Sequence, residues 1–241
     1  MDKLRLDLAL VRSALVVTRS QAESYIKLGK VTVDNKVITK PGFLIPENKY
    51  KDIKLNVSEK YVSRAALKLA SVSEIFHLDF KDKIVLDVGS STGGFTQYAL
   101  NKGAKKVLAV EKGTDQLHSS LRNDKRIILH EKTDIRDFKI NEQIDLIVID
   151  VSFVSLREIM PAVFNLSSKY TIIIPMVKPQ FEALSSGFKH KGVIKNEKMR
   201  RDILKDFENW ISNQFIIKNK ADSSVSGAKG NQERFYVLKK A

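Results

Sequence analysis

From about residue 61 onward, short apolar runs alternate with stretches whose apolar residues recur at helical spacing. The short runs predict buried strands, and the other stretches predict helices between them. The predicted strands are the segments IVLDV, VLAV, RIILHE, IDLIVID, YTIIIPMV, QFIIK and RFYVLKK. Strands that alternate with helices in this way predict an α/β fold with a mostly parallel, doubly wound sheet.

The N-terminal part of the chain has a different pattern. Apolar residues recur at helical spacing over residues 4–11, and the T-x-x-Q sequence that begins at Thr18 has the form of a capping box opening a second helix. The next segment, KVTVDNKVITKPG, alternates in two short runs joined by an Asp-Asn pair and predicts a hairpin. We therefore predict a small α+β domain with a linker over residues 1–58 and a larger domain over residues 59–241.

The stretch IVLDVGSSTGG is the centre of the larger domain. A strand ends in Asp87, a glycine-rich turn follows, and a helical pattern begins at Phe95. Glycines let the backbone of such a turn approach a ligand closely, and its N–H groups are available to a polar ligand. A second strand ends in Glu111, 24 residues after Asp87, close to the spacing of about 20 at which an acid reaches the ribose of a bound nucleoside. This pattern predicts a cofactor that carries an adenosine.

The charge of the chain points to a polyanionic partner. Its 42 Lys and Arg against 28 Asp and Glu give a formal net charge of +14, which favours nucleic acid most simply. The sequence has no cysteine, which excludes disulfides and thiolate metal sites, and its four histidines lack metal-ligand spacing. The apolar runs are far shorter than the ~18 residues of a membrane span. Charged residues near the start argue against a signal peptide, so we expect no stable membrane insertion and a cytoplasmic location.

Four polar residues stand out as candidates for chemistry. Asp150 and Lys178 follow predicted parallel strands, so both should lie at the sheet edge that also carries the glycine-rich turn. Lys68 lies on a helix before the first strand of the sheet, and Glu233 lies just before the last strand. The sequence alone does not place these last two residues at that edge.

Two parts of the chain resemble known families. The segments RLDLALV and TRSQAESYIKLGKVTVDNK, with the KPG that follows, resemble the S4 RNA-binding module over roughly residues 3–50. Residues 61–241 resemble the FtsJ/RrmJ-like S-adenosylmethionine-dependent methyltransferases in the motifs YVSRAALKL, DVGSSTGGFT, DVSFVSL, VKPQFE, KGV and GNQE. The whole chain resembles the TlyA (hemolysin A) family of ribosomal RNA 2′-O-methyltransferases. The implied fold is a Rossmann-like methyltransferase sheet with a small N-terminal α+β S4 domain.

The resemblance implies that Lys68, Asp150, Lys178 and Glu233 form a catalytic set for a ribose 2′-hydroxyl. In this interpretation Lys178 contacts the hydroxyl and either takes its proton or stabilises the charge that develops on the oxygen. Asp150 and Glu233 orient the lysines, and Lys68 fixes the substrate phosphate or the hydroxyl. The carboxylates favour protonated amines, which argues for a steering role and against a freely basic lysine.

The resemblance also implies S-adenosyl-L-methionine as the cofactor and no metal. The residues expected to contact the cofactor are Gly89, Ser90, Ser91, Thr92, Gly93, Gly94, Phe95, Glu111, Asp134 and Asp150. We expect Glu111 on the ribose hydroxyls and Asp134 on the adenine amino group, where the family often has Asp and Asn respectively. The residues expected to contact RNA are Arg5, Arg12, Arg19, Lys27, Lys30 and Arg64.

The implied reaction is 2′-O-methylation of a cytidine in ribosomal RNA within a ribosomal subunit. The chain starts almost at the first S4 helix and stops soon after the last strand, as shorter family members do, so a large-subunit target alone is expected. Two other function classes stay open here: a non-catalytic rRNA-binding assembly factor and a membrane-active hemolysin. A nucleotide-binding oxidoreductase is disfavoured because the glycine spacing is not GxGxxG and no acid–base pair for hydride chemistry is evident.

Overall fold

The structure is a computed structural model of the chain. The residues that it describes are 3–16, 18–57, 61–190, 192–227 and 230–241. The predicted boundary between the two domains, at residues 58 and 59, lies outside the described residues.

The N-terminal domain is the small α+β unit that the sequence predicts. Its elements are β1 Lys3–Arg5, α1 Leu6–Arg12, α2 Arg19–Lys27, β2 Val31–Val33, β3 Lys36–Val37, β4 Leu44–Pro46 and β5 Ile53–Leu55, with a 3-10 helix at Glu47–Asp52. β1 pairs antiparallel with β4, and β2 pairs antiparallel with both β3 and β5. The two residues between β2 and β3 have positive φ, as the predicted hairpin turn requires.

The structure corrects one local prediction in this domain. Leu4 lies on β1, where it pairs with Ile45, and the first helix begins only at Leu6. The pairing with β4 therefore overrides the helical spacing of the apolar residues. Of the capping box predicted for the second helix, the Thr18 part is present, because Thr18 Oγ1 accepts a hydrogen bond from the backbone N–H of Gln21 at 3.1 Å. The side-chain amide of Gln21 donates to the backbone carbonyl of Tyr61.

The C-terminal domain alternates strands and helices. Its elements are α3 Arg64–Ser73, β6 Ile84–Val88, α4 Gly94–Asn101, β7 Lys106–Val110, β8 Ile127–His130, β9 Leu146–Ile149, α5 Leu156–Leu166, β10 Ile172–Val177, α6 Pro179–Glu182, α7 Glu197–Ile211, β11 Phe215–Asp222 and β12 Arg234–Lys240. The helical segment predicted over residues 116–121 is only a 3-10 turn at Ser119–Leu121. Within the described part of the chain, no helix is both long and apolar enough to cross a membrane.

Among the described residues, seven strands of the C-terminal domain form one sheet in the order β11-β12-β10-β9-β6-β7-β8. β6 to β10 are parallel, whereas β12 runs antiparallel between β10 and β11. The predicted mostly parallel, doubly wound sheet is confirmed, with one reversed strand that the hydrophobic pattern did not distinguish. The strand order reverses at β6, and ligands of such sheets bind at the carboxyl ends of the strands near this reversal.

Helices cover both faces of the sheet. Val85 and Leu86 are neighbours on β6 and pack into different clusters, because successive side chains of a strand point to opposite faces. α3 and α4 pack on the face that carries Val85, and α5 and α7 pack on the face that carries Leu86. The helix that contains Lys68 therefore lies directly on the sheet.

Side chains of the C-terminal domain pack into the hydrophobic core of the N-terminal domain. Leu67 of α3 and Val225 pack in the hydrophobic cluster of the N-terminal domain. The side-chain amide of Gln21 in α2 also donates a hydrogen bond to the backbone carbonyl of Tyr61, at 2.8 Å. α3 is thus in contact with both domains.

Asp7 is a fully buried charge of the N-terminal domain. Its carboxylate accepts hydrogen bonds from Arg5 Nη2 at 2.8 Å, from Arg19 Nε at 3.0 Å and from the backbone N–H of Leu8 at 2.9 Å. Burial acts to raise the pKa of this carboxyl. The hydrogen bonds and charges of the two arginines together outweigh burial, so the pKa of Asp7 lies below its ordinary value.

We expect Asp7→Ala to lower the free energy of unfolding by about 1–3 kcal/mol near pH 7, because three donors lose their buried acceptor. Since the folded pKa is the lower one, this stabilisation is present above the unfolded-state pKa of about 3.9 and is lost as the pH falls through the folded value. Urea unfolding near pH 7 and below pH 4 measures both effects. The control is Glu47→Ala, which removes an exposed ion pair with Arg12 and should change little. An equal loss at both pH values would contradict the prediction.

Candidate active site

Four neighbouring strands bring polar residues to the carboxyl edge of the sheet. Across β12, β10 and β9, these residues are Glu233, Lys178 and Asp150, and the glycine-rich turn that starts at Gly89 follows β6. The last residue of β10 pairs with the first residue of β12 in antiparallel register. Lys178, which follows β10, and Glu233, which precedes β12, therefore lie at the same edge.

The four predicted catalytic residues form two ion pairs at this edge. Lys178 Nζ lies 2.6 Å from Asp150 Oδ1 and donates a hydrogen bond to Ser152 Oγ at 2.7 Å. Lys68 Nζ lies 2.6 Å from Glu233 Oε2. Lys68, Lys178 and Glu233 are 8%, 7% and 2% exposed, so both pairs are largely shielded from water. The structure brings the four residues together, and their catalytic roles stay predictions.

Contacts between α3 and the β11–β12 connection explain why Lys68 meets Glu233. Arg64, one turn before Lys68, donates a hydrogen bond through Nη2 to the backbone carbonyl of Ser226. The backbone N–H of Ser224 in the same connection donates to Ser71 Oγ at 3.4 Å. α3 is thereby fixed against the segment that leads to Glu233.

Two adjoining cavities open beside the Lys178–Asp150 pair. The first, of about 590 Å³, is lined by the predicted cofactor residues Gly89, Ser91, Glu111, Asp134 and Asp150. The second, of about 260 Å³, is lined by the predicted cofactor residues Gly89, Ser90, Ser91, Thr92, Gly94, Phe95 and Asp150, together with Lys178. Gly93 is absent from both of these linings. It has a φ of +91°, and a Cβ there would lie 2.5 Å from Leu121 Cδ1, so this glycine serves the packing behind the turn.

The two predicted acids of the first cavity are held in fixed orientations. Glu111 Oε2 accepts a hydrogen bond from the backbone N–H of Ser91 at 2.9 Å. Asp134 accepts from Arg136 Nε at 2.9 Å and from Arg136 Nη2 at 2.7 Å. These hydrogen bonds hold the pKa of Asp134 well below its ordinary value, so this carboxylate is ionised at neutral pH.

The second cavity contains polar atoms that need a ligand. Among the described residues, five buried atoms of its lining have no hydrogen-bond partner: Ser63 Oγ, Arg64 Nε, Asp87 Oδ1, Ser90 Oγ and Asp150 Oδ1. The last of these has an ion-pair partner in Lys178. Buried polar groups without partners are rare, because each costs about 1–3 kcal/mol. The cavity therefore fits a ligand that offers both hydrogen-bond donors and acceptors, as the zwitterionic methionine end of S-adenosylmethionine does.

Asp87 is a site residue that the sequence prediction missed. It is completely buried, and Thr96 Oγ1 donates a hydrogen bond to its Oδ2 at 2.6 Å. Burial, together with the negative charge of Asp150, raises the pKa of Asp87 to about 7, against the opposing effect of the Thr96 hydrogen bond. Its position at the end of the first strand, inside DVGSSTGG, was the available signal.

Ser63 and Ser152 were also missed. Ser63 occupies the predicted N-cap position of α3, but its side chain makes no capping hydrogen bond and instead lines the second cavity. Ser152 lines both cavities and contacts Lys178. Its place in DVSFVSL, two residues after Asp150, was the signal in the sequence.

Comparisons with known proteins relate the chain to two protein families and to several relatives. The model of the FtsJ-like methyltransferase family matches residues 61–241, and that of the S4 domain matches residues 4–49. The chain is 45% identical over 183 residues to the 23S rRNA (cytidine-2′-O)-methyltransferase TlyA of Campylobacter jejuni, which covers 75% of this chain and 71% of that protein. It is 34% identical over 239 residues to the 16S/23S rRNA (cytidine-2′-O)-methyltransferase TlyA of Mycobacterium tuberculosis, covering 98% and 89% of the two chains. This chain belongs to the TlyA family of FtsJ-like methyltransferases.

A solved structure agrees with the assignment to the TlyA family. A protein from Streptococcus thermophilus matches with a TM-score of 0.71 and 33% identity, covering 100% of this chain and 90% of that one. The fold and the TlyA family imply the use of S-adenosylmethionine.

In this TlyA-family chain the predicted RNA contacts fall in two places. Those of the N-terminal domain are all exposed, and they are Arg5, Arg12, Arg19, Lys27 and Lys30. Arg5 and Arg19 bind the buried Asp7, and Arg12 pairs with Glu47. Arg64 is separate from this group, because it lines the second cavity beside Lys178.

The raised pKa of Asp87 predicts how the stability of this TlyA-family protein depends on pH when no cofactor is bound. Because the folded pKa of about 7 exceeds the unfolded value of about 3.9, ionising Asp87 opposes folding, and stability falls as the pH rises between these values. We expect Asp87→Asn to be more stable than the natural protein near pH 8, by about 1–4 kcal/mol. The difference should vanish near pH 4. Thermal unfolding across this range measures it, with the exposed Asp79→Asn as control. A difference that does not depend on pH would refute the assignment.

Proposed function

We propose that this protein transfers a methyl group from S-adenosylmethionine to the ribose 2′-hydroxyl of a cytidine in large-subunit ribosomal RNA. The observation that carries the proposal is the shielded Lys178–Asp150 contact beside a cavity with unpaired buried donors and acceptors, with the shielded Lys68–Glu233 contact at the same edge of the sheet. The names of the two TlyA relatives support the choice of a cytidine 2′-hydroxyl.

The two cavities together fit the two ends of the cofactor. Glu111 and Asp134 in the first cavity are suited to hold the ribose hydroxyls and the adenine amino group. In the second cavity, Asp87 Oδ1 would accept from the ammonium of the methionine end, while Ser90 and Arg64 would donate to its carboxylate. When bound, S-adenosylmethionine supplies a methyl group that is electrophilic because the sulfur is positively charged.

Lys178 is suited to orient the attacking oxygen. An ammonium has three N–H donors. One donates to Ser152 Oγ at 2.7 Å, and we assign a second to the Asp150 carboxylate, whose Oδ1 forms an ion pair with Nζ at 2.6 Å. The third can donate to the ribose 2′-oxygen, hold it in line for attack and stabilise negative charge that develops on it. The Lys178 ammonium has no lone pair to take the hydroxyl proton. The acceptor in this proposal is the carboxylate of Asp150, which lines both cavities, while the bond between the methyl group and the sulfur breaks and the methyl group bonds to the 2′-oxygen.

Lys68 and Glu233 complete the substrate side of the site. Glu233 fixes the Lys68 ammonium at 2.6 Å, which leaves further N–H donors of this lysine for the target nucleotide. A phosphate group is the partner that best suits such a point charge. We assign to Lys68 the phosphate next to the target ribose.

In this proposal the N-terminal domain binds the folded RNA. Its exposed lysines and arginines lie on a chain with a net charge of +14, and contacts of such residues with phosphates position a protein on nucleic acid without reading its sequence. Choice of the target cytidine then falls to the catalytic edge.

We expect Lys178→Ala to lower kcat for methyl transfer by about a hundredfold or more, because it removes the group that orients the 2′-oxygen. Transfer of tritiated methyl groups from S-adenosylmethionine to unmodified large ribosomal subunits measures the rate. Reverse-transcription stops at low dNTP concentration map the product. Calorimetry should show cofactor affinity unchanged within about twofold.

The matched control for Lys178→Ala is Lys106→Ala. Lys106 also pairs with a carboxylate, that of Glu142, but it begins β7 and so lies at the opposite edge of the sheet. Its loss should leave kcat unchanged. Wild-type kcat in a folded Lys178→Ala variant would exclude the role given to Lys178, and a wild-type protein without transfer to any ribosomal RNA would overturn the proposed function.

For the N-terminal domain, we expect the double variant Lys27→Ala/Lys30→Ala to raise KM for RNA by about tenfold while kcat stays within about twofold. A plot of the logarithm of the RNA-binding constant against the logarithm of the salt concentration should also become shallower, its slope falling in magnitude by about two, because two phosphate contacts are lost. The control is Lys81→Ala/Lys105→Ala, which removes two exposed lysines that precede β6 and β7, at the amino edge of the sheet. Equal effects of both double variants would mean that the net charge matters and the position does not.

A further inference from the structure

Glu182 is a buried carboxylate outside both cavities. It is only 1% exposed and ends α6, four residues after Lys178. Its Oε2 accepts a hydrogen bond from Ser155 Oγ at 2.6 Å, and its Oε1 accepts from the backbone N–H of Leu156 at 2.7 Å. Both donors belong to another segment of the chain, at the start of α5.

These hydrogen bonds join the two connections that carry the reactive ion pair. Asp150 follows β9, and five residues later Ser155 begins the approach to α5. Lys178 follows β10, and the next four residues form the turn that ends in Glu182. The Lys178–Asp150 contact ties the two connections together at the strand ends, and Glu182 ties them together again at the helix.

The start of α5 also has a capping box of its own, in addition to the hydrogen bond from the Leu156 N–H to Glu182. Ser155 Oγ accepts from the backbone N–H of Arg157, and Glu158 Oε1 accepts from the backbone N–H of Ser155 at 3.4 Å, which completes a capping box within the helix. Glu158 is exposed. What distinguishes Glu182 from Glu158 is that it reaches this helix from the segment that holds Lys178.

Removal of the Glu182 carboxylate would leave Ser155 Oγ and the Leu156 N–H facing a buried space without that acceptor. The two connections would then be held by contacts nearer the strand ends: the Lys178–Asp150 pair, the Lys178–Ser152 hydrogen bond and the packing of Phe153 on Phe181. Of these, Lys178 must also accommodate the substrate. A displacement of about 1 Å at a reacting group can cost about a hundredfold in rate. A clamp behind the reactive pair therefore has a kinetic effect without contact with the reactants.

We propose that Glu182 is a positioning residue for methyl transfer, which fixes Lys178 relative to Asp150 through Ser155 and the start of α5. Its kinetic consequence rests on the function proposed above. Glu182 itself contacts neither the two cavities nor the reacting atoms.

The test compares Glu182→Ala, Glu182→Gln and Glu158→Ala in the full chain. We expect Glu182→Ala to lower kcat by about tenfold to a hundredfold with KM for RNA and the Kd for S-adenosylmethionine within about twofold of wild type. Glu182→Gln keeps the volume and one acceptor, so it should recover part of kcat. Glu158→Ala, which removes the other carboxylate at the same helix start, should keep wild-type kcat. If Glu182→Ala does not fold, the partial loss in Glu182→Gln decides.

A crystal structure of the Glu182 variant gives a readout that does not need activity. We expect the separation of Lys178 Nζ and Asp150 Oδ1 to increase from 2.6 Å. An unchanged separation, wild-type kcat in both Glu182 variants, or equal losses in Glu182→Ala and Glu158→Ala would each overturn the proposal. A wild-type protein that methylates no RNA would count against the proposed function alone, since the separation still tests the clamp.

Discussion

The antiparallel pairing of β12 with β10 is the contact on which the catalytic arrangement depends. In an all-parallel sheet, a residue that precedes a strand lies at the amino edge, away from residues that follow strands. Because β12 runs in the reverse direction, Glu233 lies at the same edge as Lys178 and Asp150. The resulting ion pairs are largely out of water, and removing one partner from such a pair leaves a costly isolated charge. The direction of β12 thus brings the charged residues to one edge, and the cost of an isolated buried charge keeps them paired there.

Much of the sheet and part of the site follow from local sequence patterns. Asp150 and Lys178 each end an apolar run of the parallel type, so their common edge is predictable from the topology of doubly wound sheets. Lys68 and Glu233 are different, because their meeting requires the reversed strand and the contacts of α3 with the β11–β12 connection. Neither feature has a periodicity that a hydrophobic pattern could reveal. For these two residues only the family resemblance pointed to the site.

Burial and partner choice were also beyond the sequence. Asp87 is notable in the structure because one of its oxygens lacks a partner among the described residues in a closed site, and a motif does not state which polar atoms remain unpaired. Arg5 and Arg19 are basic residues in the right domain, yet both also stabilise the buried Asp7. Composition determines only the net charge, whereas the structure shows which charged side chains are already paired within the protein.

The packing of Leu67 and Val225 into the N-terminal cluster has a consequence for the C-terminal domain in isolation. If the C-terminal domain were expressed alone, these two apolar side chains would be exposed to solvent and would favour self-association. In the intact chain the N-terminal domain covers both side chains.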